Sequence, residues 1–101
     1  MAQKRKPTAY EISYTKAADK FFHAHEKVRE QYEAAIGELL GGNHPERVNV
    51  KRIKGRHSDY YRIRLGDYRV VYTVVNGRII VITTLLAGSR GDIYKKMDQL
   101  Q

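Results

Sequence analysis

The segment Tyr60-Tyr61-Arg62-Ile63-Arg64-Leu65-Gly66-Asp67-Tyr68-Arg69-Val70-Val71-Tyr72 decides the fold of this 101-residue chain. Its two halves alternate in character and carry the aromatic and β-branched residues that suit a pleated, half-buried surface. Gly66-Asp67 between them is a good two-residue hairpin sequence. With that pair as the loop, Leu65 faces Tyr68, Arg64 faces Arg69 and Arg62 faces Val71. Side chains alternate along a strand. Tyr61, Ile63, Leu65, Tyr68, Val70, Tyr72 and Val74 therefore share one apolar face, which should pack on helices, and Arg62, Arg64 and Arg69 share the other.

Working outward, further strands are predicted at 48–53 and 79–86, beside 60–65 and 68–75. Asn76-Gly77 reads as a second two-residue loop. That register sets Val75 opposite Arg78 and Arg69 opposite Thr84, with Leu86 towards the Gly66 end and Arg90 close to Arg64 and Arg69. Upstream, residues 10–14 alternate as a first strand, and Thr15 is an N-cap candidate. Ala17, Ala18, Phe21 and Phe22 then recur at helical spacing, as do Val28, Tyr32, Ala35, Ile36 and Leu39. Neither Gly nor Pro separates the two sets, so one helix or two remains open; a turn is placed at residues 23–26. Gly41-Gly42-Asn43 ends the helical region, with Pro45 just beyond. Residues 92–100 read as a short terminal helix with Tyr94 on its first turns. The expected class is α+β: an antiparallel meander with an N-terminal strand, a helical hairpin on one face and a short C-terminal helix. Residues 1–8 are expected to be a flexible basic arm, and 9–101 a single domain.

The formal net charge is +8, from 19 Lys and Arg against 11 Asp and Glu. A field of that sign favours nucleic acid or acidic protein partners. There is no cysteine, which removes disulfides, thiolate metal sites and cysteine nucleophiles. His23 and His25 stand at i, i+2, a poor helical metal spacing, and no carboxylate cluster accompanies them, so no metal and no cofactor are expected. His57, Ser58 and Asp59 are too close in sequence for a hydrolase triad, and the glycines form no phosphate loop. No apolar run could span a membrane and residues 1–8 lack the apolar stretch of a secretory signal; a cytoplasmic location is the expectation. The arginines are what remains. Like charges directly opposite in a strand pair are destabilising. A phosphate between them removes the penalty, because guanidinium forks match its oxygens in bidentate fashion.

Lys51-Arg52-Ile53-Lys54-Gly55, the hairpin from Tyr60 to Tyr72, and the ending Ala87-Gly88-Ser89-Arg90-Gly91-Asp92-Ile93-Tyr94 together resemble the RelE/ParE toxin superfamily. The order of a strand, a helical hairpin and a meander is similar too. The resemblance implies a toxin of a type II toxin–antitoxin system. RelE-like members are ribosome-dependent ribonucleases that cut mRNA without metal, using the RNA's own 2′-hydroxyl as nucleophile. By resemblance, Arg69 and Arg90 would bind the scissile phosphate, Arg62 and Arg64 would orient the backbone and favour the 2′-oxyanion, and Tyr94 would stack on a base and help move a proton. Lys51, Arg52, Lys54, Arg56 and His57 would extend the RNA-binding surface. Some relatives carry lysine where this chain has Arg62 and Arg64. Arginine does not lose its proton at ordinary pH, so the resemblance carries over a phosphate site and no base among the arginines. The implied partners are an antitoxin of RelB type with an acidic wrapping segment, the ribosome and mRNA. Two rivals share the same sequence: a ParE-like inhibitor of DNA gyrase, and a non-catalytic nucleic-acid-binding module.

Overall fold

In a computed structural model that describes residues 9–54 and 59–97, the hairpin stands at the centre of a five-stranded sheet. The elements are β1 (Tyr10–Tyr14), α1 (Lys16–Ala24), α2 (Glu26–Gly41), a 3₁₀ turn (Pro45–Arg47), β2 (Val50–Lys54), β3 (Asp59–Leu65), β4 (Tyr68–Asn76), β5 (Ile80–Ser89) and α3 (Asp92–Met97). The strand order is β1-β5-β4-β3-β2. The expected basic arm at 1–8, the loop at 55–58 with Arg56 and His57, and the expected end of the last helix at 98–100 lie outside the described residues.

The first hairpin has the register read from its sequence: Leu65 pairs with Tyr68, Arg64 with Arg69, and Arg62 with Val71. Gly66 has φ 63°, and among the described residues no non-glycine residue has a positive φ. Glycine alone in that region at the first central position is the pattern of a II′ turn, whose twist matches its strands.

Two expectations are corrected. The sheet is mixed, because β1 runs parallel to β5. The chain leaves β1 directly into α1, and the helical pair carries it to the far edge of the sheet, where β2 begins; no tight turn links β1 to its neighbour. The second hairpin also has a different register. Asn76 pairs with Ile80, so its loop is Gly77-Arg78-Ile79, and Val75 faces Val81 rather than Arg78. A bulge then leaves Leu85 extra, since Tyr72 pairs with Thr84 but Val71 with Leu86. Arg69 faces Gly88 rather than Thr84.

A side chain distant in sequence holds the bulge. The Thr15 hydroxyl donates to the Leu85 carbonyl at 2.6 Å and accepts from the Ala18 amide at 3.2 Å. One side chain thus caps α1 and holds the irregular carbonyl of β5. The helical region is two helices, broken at His25, whose φ of −138° and ψ of 64° are not helical. The His25 ring stacks on Phe21 at 4.2 Å and lies 5.1 Å from Tyr68, so packing fixes a break that no glycine or proline announces.

One face of the sheet meets α1 and α2. Ala18, Phe22, Val28, Tyr32, Ile36, Ile63, Val70, Tyr72, Ile82 and Ala87 form this core. Each large aliphatic side chain fully buried here contributes about 1.5–3 kcal/mol. Tyr32 and Thr84 bury their hydroxyls as a pair, 2.6 Å apart. On the opposite face α3 buries Ile93 against Val71 and Leu86 in a second, small cluster. The bulge makes this possible, because it turns Leu86 and Gly88 towards α3 while Ala87 faces the main core. Among the described residues, no helix is long and apolar enough to cross a membrane.

Candidate functional site: the arginine face beside the last helix

The uncovered part of the α3 side of the sheet carries the arginines. Arg62 and Arg64 project from β3 two residues apart, and Arg69 pairs with Arg64 from β4. Arg90 follows β5 at the same end, where its backbone amide donates to the Asp67 carbonyl at 2.8 Å, tying the start of the tail to the first hairpin turn. Tyr94 stands on α3, 54 % exposed. The Arg62 Nη1 donates to the Tyr94 hydroxyl at 2.9 Å, and the guanidinium lies 5.9 Å from the ring centroid. The five residues singled out for catalysis therefore lie on one end and one face of the sheet.

Their roles within the fold differ. Arg69 is 6 % exposed, and its Nη1 donates to the carbonyls of Gly66 and Tyr68 at 2.8 and 3.0 Å. It closes the turn that positions Arg64 as well as facing the site. Gly88 opposite it has no side chain, and that space is taken by Lys96, whose ammonium would stand 3.2 Å from a Cβ there. Burial is the main reason that Arg69 holds its proton less firmly than an ordinary arginine, followed by the positive charges of Arg64, Arg62 and Arg90; Tyr94 acts in the other sense. The neighbouring guanidinium groups thus add to the effect of burial. A bound anion would relieve it. Arg64 is exposed, and its side chain makes no hydrogen bond or ion pair with the described residues.

The residues expected to extend the RNA surface separate. Lys51 pairs with Arg62 and so stands on the arginine face. Arg52 and Lys54 pair with Tyr61 and Asp59 and belong to the helix-side face by alternation, and Arg52 forms an ion pair with Asp59 at 3.5 Å. Strand alternation is the reason: three basic residues within four positions cannot share one face.

The structure adds Lys96, which sequence reasoning passed over. Its ammonium donates to the Ala87 carbonyl at 3.0 Å and lies 5.7 Å from the Phe21 ring centroid. β1 reaches only Thr84, so Ala87 lies on a stretch of β5 beyond its parallel partner. Ile93, Tyr94 and Lys96 thus anchor α3 at three points: an apolar cluster, Arg62 and the β5 backbone. An amphipathic helix signal marks Ile93, but nothing local in the sequence marks Lys96.

A family model described as the ParE toxin of type II toxin–antitoxin system, parDE, matches residues 11–91. The chain is 30 % identical to a protein in the crystal structure of the RelB–RelE antitoxin–toxin complex from Methanococcus jannaschii. That match covers 83 % of this chain and 96 % of the other, with a TM-score of 0.55. No curated protein matches the sequence.

Proposed function

We propose, from the premise that this chain belongs to the ParE toxin family and is a type II toxin of the RelE/ParE superfamily, that it is a ribosome-dependent endoribonuclease acting on mRNA without a metal ion. The observation that carries this reading is the gathering of Arg62, Arg64, Arg69 and Arg90 around one uncovered patch with Tyr94 hydrogen-bonded to Arg62.

The chemistry needs little more than such a patch. The RNA 2′-oxygen forms a bond to the adjacent phosphorus, the bond to the 5′-oxygen breaks, and a proton passes from the first oxygen to the second. The phosphorane-like transition state carries more charge on its oxygens than the ground state. Preorganised guanidinium donors in a partly dry site favour it selectively. Arg64 and Arg90 are exposed at the mouth, which supports giving them the phosphate. The buried Arg69 supplies a fixed positive charge behind them. Arg62 orients the Tyr94 ring, which offers a face for base stacking, worth about 1–3 kcal/mol. The Tyr94 hydroxyl accepts from Arg62 and keeps its own proton for donation to the leaving oxygen. Lys51 extends the backbone track. The ribosome and mRNA are the partners of the reaction, and an antitoxin is the partner of the resting state. The RelB–RelE likeness supports the second.

A second reading, the inhibition of DNA gyrase expected of ParE-like members, is favoured by the match of residues 11–91 to the ParE toxin model. One experiment separates them. Translating ribosomes are incubated with the toxin and mRNA ends are mapped, with and without EDTA, beside a gyrase supercoiling assay. Cleavage that persists in EDTA and falls by about 10²-fold or more in Arg64→Ala and Arg90→Ala is the expected result, in line with loss of an oxyanion contact. Intact cleavage in both variants would refute the site. Loss of supercoiling without any mRNA cleavage would transfer the function to gyrase.

A further inference from the structure

The aromatic rings behave differently on the two faces of the sheet. On the helix side ring packs on ring. Phe22 stacks with Tyr32 and Tyr61 with Tyr72, at 5.7 and 5.4 Å between centroids, and Tyr14 and Phe21 join edge-on. Tyr60 and Tyr94 stand on the α3 side, and neither ring pairs with another aromatic ring among the described residues. Tyr60 is half-buried and packs against the small cluster of Val71, Leu86 and Ile93. The ribonuclease reading gives Tyr94 a base and leaves Tyr60 without a task.

Tyr60 precedes Arg62 by two positions on β3, so it projects from the arginine face about 6.5 Å further along the strand. Beside this row on the edge strand, Lys51 pairs with Arg62 and Ile53 pairs with Tyr60. Lys51 is exposed and makes no ion pair with the described residues. On the other flank, α3 starts at the Gly66 end, where the Arg90 amide meets Asp67. It then runs alongside β3: Tyr94 meets Arg62, and Met97 packs on the same cluster as Tyr60. The surface between β3 and α3 is therefore cationic at the Gly66 end and apolar around Tyr60. Cation and ring alternate along it, as phosphate and base alternate along a single strand of RNA. Sheet surfaces that bind single-stranded RNA seat successive bases on aromatic rings in this way. A protein strand offers no such pairing of one anion with one flat ring at every step.

We propose that Tyr60 is a second base-binding residue: its ring stacks on the base next to the one held by Tyr94, while Lys51 and Arg62 hold the phosphate between the two nucleotides. The proposal rests on the reading of this patch as an mRNA site and deepens it. Two stacked bases flanking one phosphate fix the strand on both sides, which holds the attacking 2′-oxygen in line with the bond that breaks. The ring at position 60 thus acts through binding and orientation and takes no part in moving the proton.

The test measures the Kd of the full-length toxin for ribosomes carrying an mRNA that is 2′-deoxy around the mapped cut, so that the nucleophile is missing and the readout is binding. Nucleotides around the cut are made abasic one at a time, with the parent, Tyr60→Leu, Tyr60→Phe and Tyr94→Leu. Removing one particular base is expected to weaken the parent and Tyr60→Phe by about fivefold or more and to leave Tyr60→Leu unchanged. Tyr94→Leu should be blind to the adjacent base instead. A residue that only packs would shift every Kd alike, whatever base is missing; that outcome overturns the proposal. So does a Tyr60→Leu that is blind to the same base as Tyr94→Leu, which would leave one base site and not two. Circular dichroism reports folding, and Tyr60→Met replaces Tyr60→Leu where the latter does not fold; failure of both beside a folded Tyr60→Phe makes the ring a core residue and overturns it as well. A parent that neither cuts mRNA nor binds these ribosomes refutes the functional reading and this site with it, whereas binding by the parent without coupling at Tyr60 refutes the second base site alone.

Discussion

Arg64 and Arg69 face each other across one strand pair, yet they do different work. Arg69 gives two hydrogen bonds to the turn it follows, and Arg64 gives none to the described residues. Arg69→Ala should therefore lower stability by about 1–3 kcal/mol, through lost charge-assisted bonds and carbonyls left short of a donor. Arg64→Ala should stay within about 0.5 kcal/mol, as exposed substitutions do, and it removes a like charge from its partner. Urea denaturation of the two variants checks this; equal losses would mean that Arg69 is not closing the turn. A fall in activity in Arg69→Ala thus mixes folding with chemistry, and Arg64 and Arg90 are the cleaner probes of phosphate binding. At this scale much was legible in advance. A two-residue turn leaves a single register, so the opposed arginines could be read directly. Alternation alone separates Lys51 from Arg52 and Lys54, but which side of the sheet each takes could not be read, because the sequence between β2 and β3 carries no two-residue turn signal to set their register.

At the scale of elements, legibility followed the turns. The first hairpin was readable to the residue, while the second was displaced. Asn76-Gly77 has the composition of a two-residue loop, but Asn76 stays in the ladder and the turn takes Gly77-Arg78-Ile79. The Leu85 bulge depends on Thr15, 70 positions earlier in the chain, and such a distant hydrogen bond has no local trace. The parallel pairing of β1 with β5 is hidden for the same reason. The break at His25 is set by stacking on Phe21 and Tyr68, again a tertiary cause. Thr15 joins two elements, so its loss should cost more than that of a cap alone. Thr15→Ala is expected to destabilise by roughly 1–2 kcal/mol, with Thr15→Ser recovering most of it, as read by denaturant midpoint. A change below about 0.5 kcal/mol, the range of an uneventful surface substitution, would show that the cap and the bulge do not depend on this hydroxyl.

Over the whole molecule, the two faces of the sheet differ in kind. The helix side is a large core in which tyrosines are set deeply, and the α3 side is a small core bordered by charge. The tyrosines make the large core sensitive to alkali. Tyr72 is pushed up to about 12, first by burial and then by Tyr61. Tyr32 is raised by burial above all, and Tyr14 by burial and then by its hydrogen bond to Glu33. An unfolded tyrosine ionises near about pH 10. Below that value both states keep their protons and the contribution is fully present. Above it the unfolded chain releases protons that the folded chain retains, so stability falls with rising pH until the folded groups also ionise. Thermal melts should hold steady with respect to these groups up to about pH 10 and drop beyond it, with a smaller drop in Tyr72→Phe. An identical alkaline profile in that variant would remove Tyr72 from the account. The bulge at Leu85 bears on how such a chain can change length during descent. An added or missing residue in the exposed 77–79 loop alters only the tip of the hairpin. The same change between Thr84 and Ser89 reverses which side of the sheet every later side chain meets, withdrawing Leu86 from α3 and Gly88 from Arg69. Lineages of this fold are thus free to drift at one end of β5 and are held to a fixed count at the other.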